Sequence, residues 1–584
     1  MDIVSFIVLI VILAGIWFAY TRFKKKKNVT IKELSVQERI EKLRTAIKDP
    51  KVVLSSGQQN KIKTYKDLAV DIEKEYKGWD TNLAKMKDMC FDGCKFLDFH
   101  LAKVEPVGLK IADAMVIKLL GKLDSVKGEV IKVSIWEKDW YYTSINLTYF
   151  LALYVYIGTN NDLIEGCKKQ ILRILPSVGV GLTKPLMGLT LFKATVSRLC
   201  VTYLMPDKFK KDITSAKFTQ VKEFMNLTHV EDDTVQDGYY DDGSMILNGF
   251  ASYDRLESRL GFYEKAYRSM GLQSNIKDLA VTIFPKLTHP KVRWSPPGLF
   301  RNNNDRIARW WPSSDTEINL IPFIGLGVFK CPEFMFFVRV QRPGIHPNYP
   351  AIPELAAGCI QIRRIFLKDN NTYPKNLLNT NLKDEPGVLS KVGGSVCELK
   401  DKTGGNFYCS NVSSFIGCID DLMFWKNSYK FIELFGDVTV TEAGVISATG
   451  FQACYKIDNN SNESFKFRYK DTRMKKCYTN PTGSTEFFDV PQKDRGGSKK
   501  TKFTWTMAEK WIDYKVALTA DGMEFETSTS KKYKVKKITG DNEPYVVTCG
   551  STTLLGSSSS RIPSEITHET IKYKRNAKTM MYEK

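Results

Sequence analysis

The hydrophobic spacing of this chain changes its period once, and that change limits the folds open to it. Before about residue 285, apolar residues recur every three or four positions over long stretches. Ser35 to Asp49 carries Ile40, Leu43 and Ile47 on one face, with Ser35 and Glu38 placed as a capping box. Gly108 to Leu123, Thr143 to Ile157, Asp162 to Leu175, Leu186 to Tyr203 and Ser244 to Met270 show the same spacing. Polar or Gly/Pro breaks separate them, such as Gly158 to Asn161 and Pro176 to Gly179. Repeated helices joined by short turns pack as a bundle, a solenoid or a toroid. The stretch from Pro285 to Pro322 is rich in Pro, Asn, Arg and Trp. Beyond it come short strand-like runs: Phe334 to Val340, Cys359 to Arg363, Asp437 to Thr441, Phe465 to Tyr469 and Pro544 to Cys549. The expected fold is therefore α+β and multidomain, with a helical domain over residues 36–310 and an antiparallel β-sandwich over residues 311–584. Low-complexity sequence is limited to Gly556 to Ser560, and no internal repeat stands out.

A second constraint lies at the N-terminus. Ile3 to Tyr20 is a stretch of 18 residues without a charge, and Arg22 and Lys24 to Lys27 follow directly. Such a stretch is long enough to cross a bilayer core as a helix. Met1-Asp2 supplies no basic leader and no Ala-x-Ala cleavage site follows, so residues 1–27 read as a transmembrane anchor with a basic flank, and residues 28–35 as a linker. The lysines place that flank on the cytosolic or nucleoplasmic side. Thiols there stay reduced, and sequons such as Asn146-Leu147-Thr148 stay bare.

The 584 residues carry a formal charge of +21. A basic body attracts polyanions: nucleic acid, acidic lipid or acidic polysaccharide. No helix-turn-helix, zinc-finger or RNA-recognition signature occurs, so nucleic acid is not an expected partner. Lysine runs recur at Lys499 to Lys502, Lys531 to Lys537 and Lys572 to Arg575; their alternation is equally that of strands with one solvated face. The twelve cysteines are scattered, with only Cys90 and Cys94 close together. Neither they nor the histidines show metal-ligand spacing, so no metal or cofactor is expected.

Three segments carry a resemblance. Asp139-Trp140-Tyr141-Tyr142-Thr143-Ser144-Ile145 opens a helix, Asp242-Gly243-Ser244-Met245-Ile246-Leu247 follows, and Ala453-Cys454-Tyr455-Lys456 lies in the β part. In this order, with the anchor and the α-then-β division, they resemble the hyaluronate and chondroitin lyases, and within that fold the baculovirus occlusion-derived-virus envelope protein family. The resemblance implies an α/α toroid-like helical domain. It also implies β-elimination, in which an Asn neutralises a uronate carboxylate and a Tyr, helped by a His, removes the C5 proton beside an orienting Arg. Trp140, Tyr141 and Tyr142 match the aromatic segment that lines the sugar cleft.

The chain departs from that pattern. Asn248 stands six residues after Asp242, where the family has its His. No Asn occurs between Asn161 and Asn226, where the family Asn is expected. The family Tyr position falls on Leu256 or Glu257, leaving Tyr253 and Tyr263 as displaced alternatives. Arg301 matches the family Arg, with Arg306 as its rival, and His229 is a further stand-in for the lost His. Plainer readings stay open beside these: Asn248 and Tyr253 as polar helix positions, the Trp140 to Tyr142 aromatics as core, and Arg301 to Arg309 as a solvated connector. The resemblance thus implies a viral envelope protein, of a baculovirus relative such as a nudivirus or bracovirus, with a degraded lyase centre. It would be inserted in the host nuclear membrane and then the virion envelope beside other envelope proteins, and would serve virion structure or glycosaminoglycan attachment. The alternatives are an active chondroitin or hyaluronan lyase built on Tyr253 or Tyr263, Arg301 and Asn248, and a host single-anchor protein without a sugar ligand.

Overall fold

The computed structural model describes residues 34–48, 60, 62–65, 67–103, 107–126, 141–180, 186, 188–225, 238–240, 242–247, 250–251, 253, 260–274, 276–292, 313–340, 345, 363–367, 389–391, 414–431, 438–459, 464–468, 487–490, 498–506, 515–527, 529–538, 544–557 and 564–584. The expected anchor, residues 1–27, and the expected linker up to residue 33 lie outside them. Among the described residues no helix is long and apolar enough to cross a membrane. Backbone contacts divide the chain into two units that interleave along the sequence. One unit holds Met1–Pro176, Ser197–Ile213 and Ser269–Gly271; the other holds Ser177–Val196, Thr214–Arg268 and Leu272–Lys584.

In the first unit, Ser35 and Glu38 form the expected box: Ser35 Oγ accepts the Glu38 amide at 3.2 Å and Glu38 Oε2 accepts the Ser35 amide at 2.7 Å. The helix they open is Val36–Ile47. Asp67, Asn82 and Asn160 cap Leu68–Glu75, Leu83–Leu101 and Asn161–Ile174 in the same manner, each with a side-chain oxygen on two orphan backbone N–H groups. Thr148–Ile157 is buried on nearly every side, as its run of apolar and aromatic residues requires. Two of its three tyrosines, Tyr154 and Tyr156, are buried, and their hydroxyls need partners there. Tyr154 donates to Asp113 Oδ1 at 2.5 Å, and Tyr156 donates to the Cys200 carbonyl. Arg198, at the end of Gly188–Thr202, forms a two-pronged pair with Asp212 at 2.9 and 3.0 Å and donates to the Leu175 carbonyl at 2.6 Å. Both side chains are buried, so each charge depends on the other.

The second unit carries the antiparallel sheets. A four-stranded sheet runs Glu317–Ile321, Leu326–Cys331, Phe334–Arg339, Arg363–Leu367. A five-stranded sheet runs Ser498–Thr506, Gly450–Asn459, Val438–Ser447, Leu422–Phe431, Phe415–Ile419. An eight-stranded sheet runs from Lys515–Leu518 through Gly522–Glu526, Lys532–Lys537, Pro544–Cys549, Thr552–Ser557, Tyr582–Glu583 and Ile571–Arg575 to Glu565–His568. Cys359 to Ile362 of the expected strand lie outside the described residues.

The expected two-layer sandwich gains a layer. Along Leu422–Phe431, alternate side chains point to opposite faces. Trp425 lies against Phe336 of the four-stranded sheet, ring centroids 5.4 Å apart, whereas Phe424 meets Phe525 of the eight-stranded sheet at 5.8 Å. Phe415 stacks on Tyr545 at 4.7 Å on that same side. The five-stranded sheet is therefore covered on both faces, which explains why Leu422 to Asn427 is buried without alternation. Trp425 donates its indole N–H to the fully buried Glu442 at 2.8 Å. Its ring occupies the space that a Cβ on Gly444 would need.

The lysine runs are strands, the second of the two readings of their sequence. Lys532–Lys537 alternates exposed lysines with buried Tyr533 and Val535. The outward lysines face acidic neighbours: Lys534 lies 3.8 Å from Glu524, Lys536 3.3 Å from Asp521, and Lys574 3.8 Å from Glu565. Much of the basic excess in these strands is thus locally offset.

Ser244 to Met270 departs from the expected single helix. The short strands Gly238–Tyr239, Met245–Leu247 and Phe250–Ala251 form a small antiparallel sheet, and among the described residues of this stretch only Leu260–Ser269 is helical. The cause is local. Asp242 and Ser244 hydrogen-bond to each other and to backbone, and Gly243 takes φ +93°, so a turn forms where helix would otherwise begin.

Candidate functional site

All three resemblance-bearing segments fall on described residues, the first of them from Tyr141 onward. The Asp-Gly-Ser segment lies in the second unit. Asp242 is buried, and its carboxylate accepts the Ser244 amide at 2.8 Å, the Ser244 hydroxyl at 2.9 Å and the Phe323 amide at 2.9 Å. Two backbone bonds close the turn around it: Tyr240 N–H to Ser244 O at 2.9 Å and Gly243 N–H to Tyr240 O at 3.0 Å. The Tyr240 ring stacks on Phe323 with centroids 3.9 Å apart. Phe323 belongs to the Pro322–Gly325 turn between two strands of the four-stranded sheet. Gly325 takes φ +66° there, and its carbonyl accepts the Val340 amide at 2.7 Å. One carboxylate thus ties the Asp-Gly-Ser turn to the start of the β region.

Tyr253 completes this cluster. Its hydroxyl donates to the Gly243 carbonyl at 2.8 Å and the residue is fully buried. Burial pushes the phenol well above its ordinary value of 10; the Asp242 charge pushes the same way and the Arg339 charge opposes it. Arg339, at the end of Phe334–Arg339, is itself buried, and its pKa is pushed down to about 10. A general base needs a lowered pKa and an approach path to the proton. Tyr253 has neither: its proton is engaged by a backbone oxygen, and burial holds it neutral. In this arrangement the phenol is a pin that holds the turn.

Tyr263, the other displaced tyrosine, lies in Leu260–Ser269 within an aromatic cluster. Phe192 meets Tyr263 at 6.3 Å and Tyr267 at 5.7 Å, and the buried Lys193 ammonium lies 5.9 Å from the Tyr263 ring centre. Asn248, Arg301, Arg306 and His229 lie outside the described residues.

In the first unit, Tyr141 and Tyr142 stand at the head of the helix expected there. They form an edge-to-face pair, 5.6 Å between centroids. The chain then makes a π-helical stretch, Tyr142–Leu147, before the α-helix Thr148–Ile157. Thr148 marks the wide turn by donating its hydroxyl to the Ser144 carbonyl at 2.5 Å. Both tyrosines are half-buried, and the Lys87 ammonium lies 5.2 Å from the Tyr142 ring centre. Asp139 and Trp140 lie outside the described residues. The third segment, Ala453 to Lys456, is an inner-sheet strand whose Tyr455 is fully buried.

Spacing alone missed Arg339, Phe323 and Lys87. Arg339 had a signal: a cation ending the buried run Phe334 to Val338 must find a compensating polar environment. Among the described residues no group of three or more His, Cys, Asp or Glu side chains is placed to hold a metal ion. The described cysteines are free thiols, and burial pushes the Cys90, Cys167 and Cys200 thiols above their ordinary range.

No protein-family model matches the chain, and no curated relative matches it. Solved structures do. The chondroitin lyase ODV-E66, a baculovirus envelope protein, is similar with a TM-score of 0.60 and 10% sequence identity, over 94% of this chain and 99% of that one. The chondroitin AC lyase of Streptomyces coelicolor A3, solved with chondroitin sulphate, is similar with a TM-score of 0.62 and 9% identity, over 94% of this chain and 97% of that one. Identity this low speaks to the fold alone: the fold of this chain is similar to that of these two chondroitin lyases.

Proposed function

We propose that the protein is a membrane-anchored envelope protein of a baculovirus-like virus, with a lyase-type body that binds acidic glycosaminoglycan without cleaving it. The observation that carries the non-cleaving part is the buried Tyr253 hydroxyl, donated to Gly243 and raised in pKa. The sequence adds Asn248 where the family has its His, and no Asn in the window of the family Asn. The chain's charge of +21 and the half-buried Tyr141–Tyr142 pair beside Lys87 support an acidic sugar as ligand. The uncharged Ile3 to Tyr20 stretch with its lysine flank supports the anchor.

Binding of detergent-solubilised full-length protein to immobilised chondroitin sulfate and hyaluronan, titrated with salt, tests the reading. It expects binding that weakens as salt rises. Folded protein that binds neither polymer at low salt would refute it.

A further inference from the structure

The half-buried tyrosines at the π turn do not stand alone. Leu83–Leu101 presents Lys87, Phe91 and Lys95 at intervals of four residues. That spacing puts neighbours side by side on the helix, and the two lysines about 12 Å apart along its axis. Each lysine is seated on an aromatic ring: Lys87 5.2 Å from the centre of Tyr142, and Lys95 4.3 Å from the centre of Phe91. Phe91 is 39% exposed, unusual for a phenylalanine on a helix whose other large apolar residues are mostly buried. Asp92 fixes the far end. It accepts the Tyr76 hydroxyl at 2.8 Å and pairs with Lys95 at 3.3 Å, holding the ammonium over Phe91. Tyr141, Tyr142, Lys87, Phe91 and Lys95 therefore form one slanted stripe of alternating ring and ammonium.

We propose that this stripe is a subsite for a uronate-containing oligosaccharide, extending from the π turn along Leu83–Leu101. Sugar rings stack their apolar faces on aromatic side chains, and uronate carboxylates recur along such a polymer on alternate sugars. Rings that alternate with ammoniums answer both features. Asp88, exposed next to Lys87, and Asp92 keep the local net charge small. Stacking on Phe91 consequently supplies most of the affinity, and the lysines supply direction and salt sensitivity. This subsite rests on the reading that the body binds acidic polysaccharide.

The test uses full-length protein and size-defined chondroitin sulfate oligosaccharides. Phe91→Ala is expected to weaken binding about tenfold, in line with the loss of a stacking platform and of the ring beneath Lys95. Lys87→Gln with Lys95→Gln is expected to lower the salt dependence as well, a readout that a merely structural role would not move. Phe91 is 39% exposed, so the Phe91→Ala variant is expected to stay folded with a modestly lower thermal midpoint, and binding is compared below that midpoint. Parent protein that binds, with both variants binding unchanged, would overturn the subsite and leave the wider reading intact. Parent protein that does not bind would overturn both.

Discussion

Asp242→Asn tests the clamp at the centre of the candidate site. The carboxylate accepts from two backbone amides, Ser244 through Oδ1 and Phe323 through Oδ2, and from the Ser244 hydroxyl. An amide has one oxygen. Whichever way it turns, its NH2 meets one of those two backbone N–H groups, donor against donor, in a buried place. The Ser244 hydroxyl can rotate to accept, so its bond survives. The loss is one charge-assisted hydrogen bond with a backbone donor left unsatisfied, about 2–3 kcal/mol. The readout is hydrogen exchange of peptides covering Ser244 and Phe323, because a chain of two units need not unfold in one step. A loss of that size speeds exchange there by roughly 30- to 150-fold, since each 1.4 kcal/mol is a factor of ten. Exchange within twofold of the parent at both amides would refute the clamp, and with it the claim that this aspartate is structural.

Two other outcomes follow from the described structure. Gly444→Ala drives a Cβ into the Trp425 indole, which is packed between Phe336 and Glu442 and cannot withdraw; the expected destabilisation is about 1–3 kcal/mol, seen as a lower thermal midpoint for the β unit. His289 is buried, with Nδ1 accepting the Lys291 amide at 3.0 Å and Nε2 donating to the Cys331 carbonyl at 2.8 Å; burial lowers its pKa below the ordinary 6.5. Its contribution is therefore complete above pH 6.5 and falls away as the pH drops below that value, because the unfolded chain takes up the proton first. Stability of the β unit measured between pH 7.5 and 5 should decline, and His289→Gln should flatten that decline.

Much of the helical part was legible because its signals are local. The Ser35–Glu38 box and the Gly158 to Asn161 break each act within one turn, and the helices begin and end close to them. The lysine strands were legible for the same reason: alternation with Tyr533, Val535 and Tyr573 is written into the run. Met245 to Ala251 was misread because Ile246, Phe250 and Tyr253 also fit a helical face. The deciding bond runs from Asp242 to Phe323, a separation of 81 residues. The middle layer of the β stack was hidden for a related reason: a strand covered on both faces shows no alternation, and what covers Phe424 and Trp425 lies about 90 to 120 residues away in the chain. At the site, residue type marked Tyr253 as a candidate base. Only its burial and the Gly243 carbonyl show the hydroxyl acting as a donor.

The proposed body has a lyase-type fold without lyase chemistry. β-Elimination leaves an unsaturated uronate, so the ultraviolet absorbance of full-length protein incubated with chondroitin sulfate and hyaluronan is the most direct measurement. The expected result is a flat trace from folded protein that binds these polymers. A rising trace that Tyr253→Phe abolishes would contradict it, since it would make the buried phenol a working base.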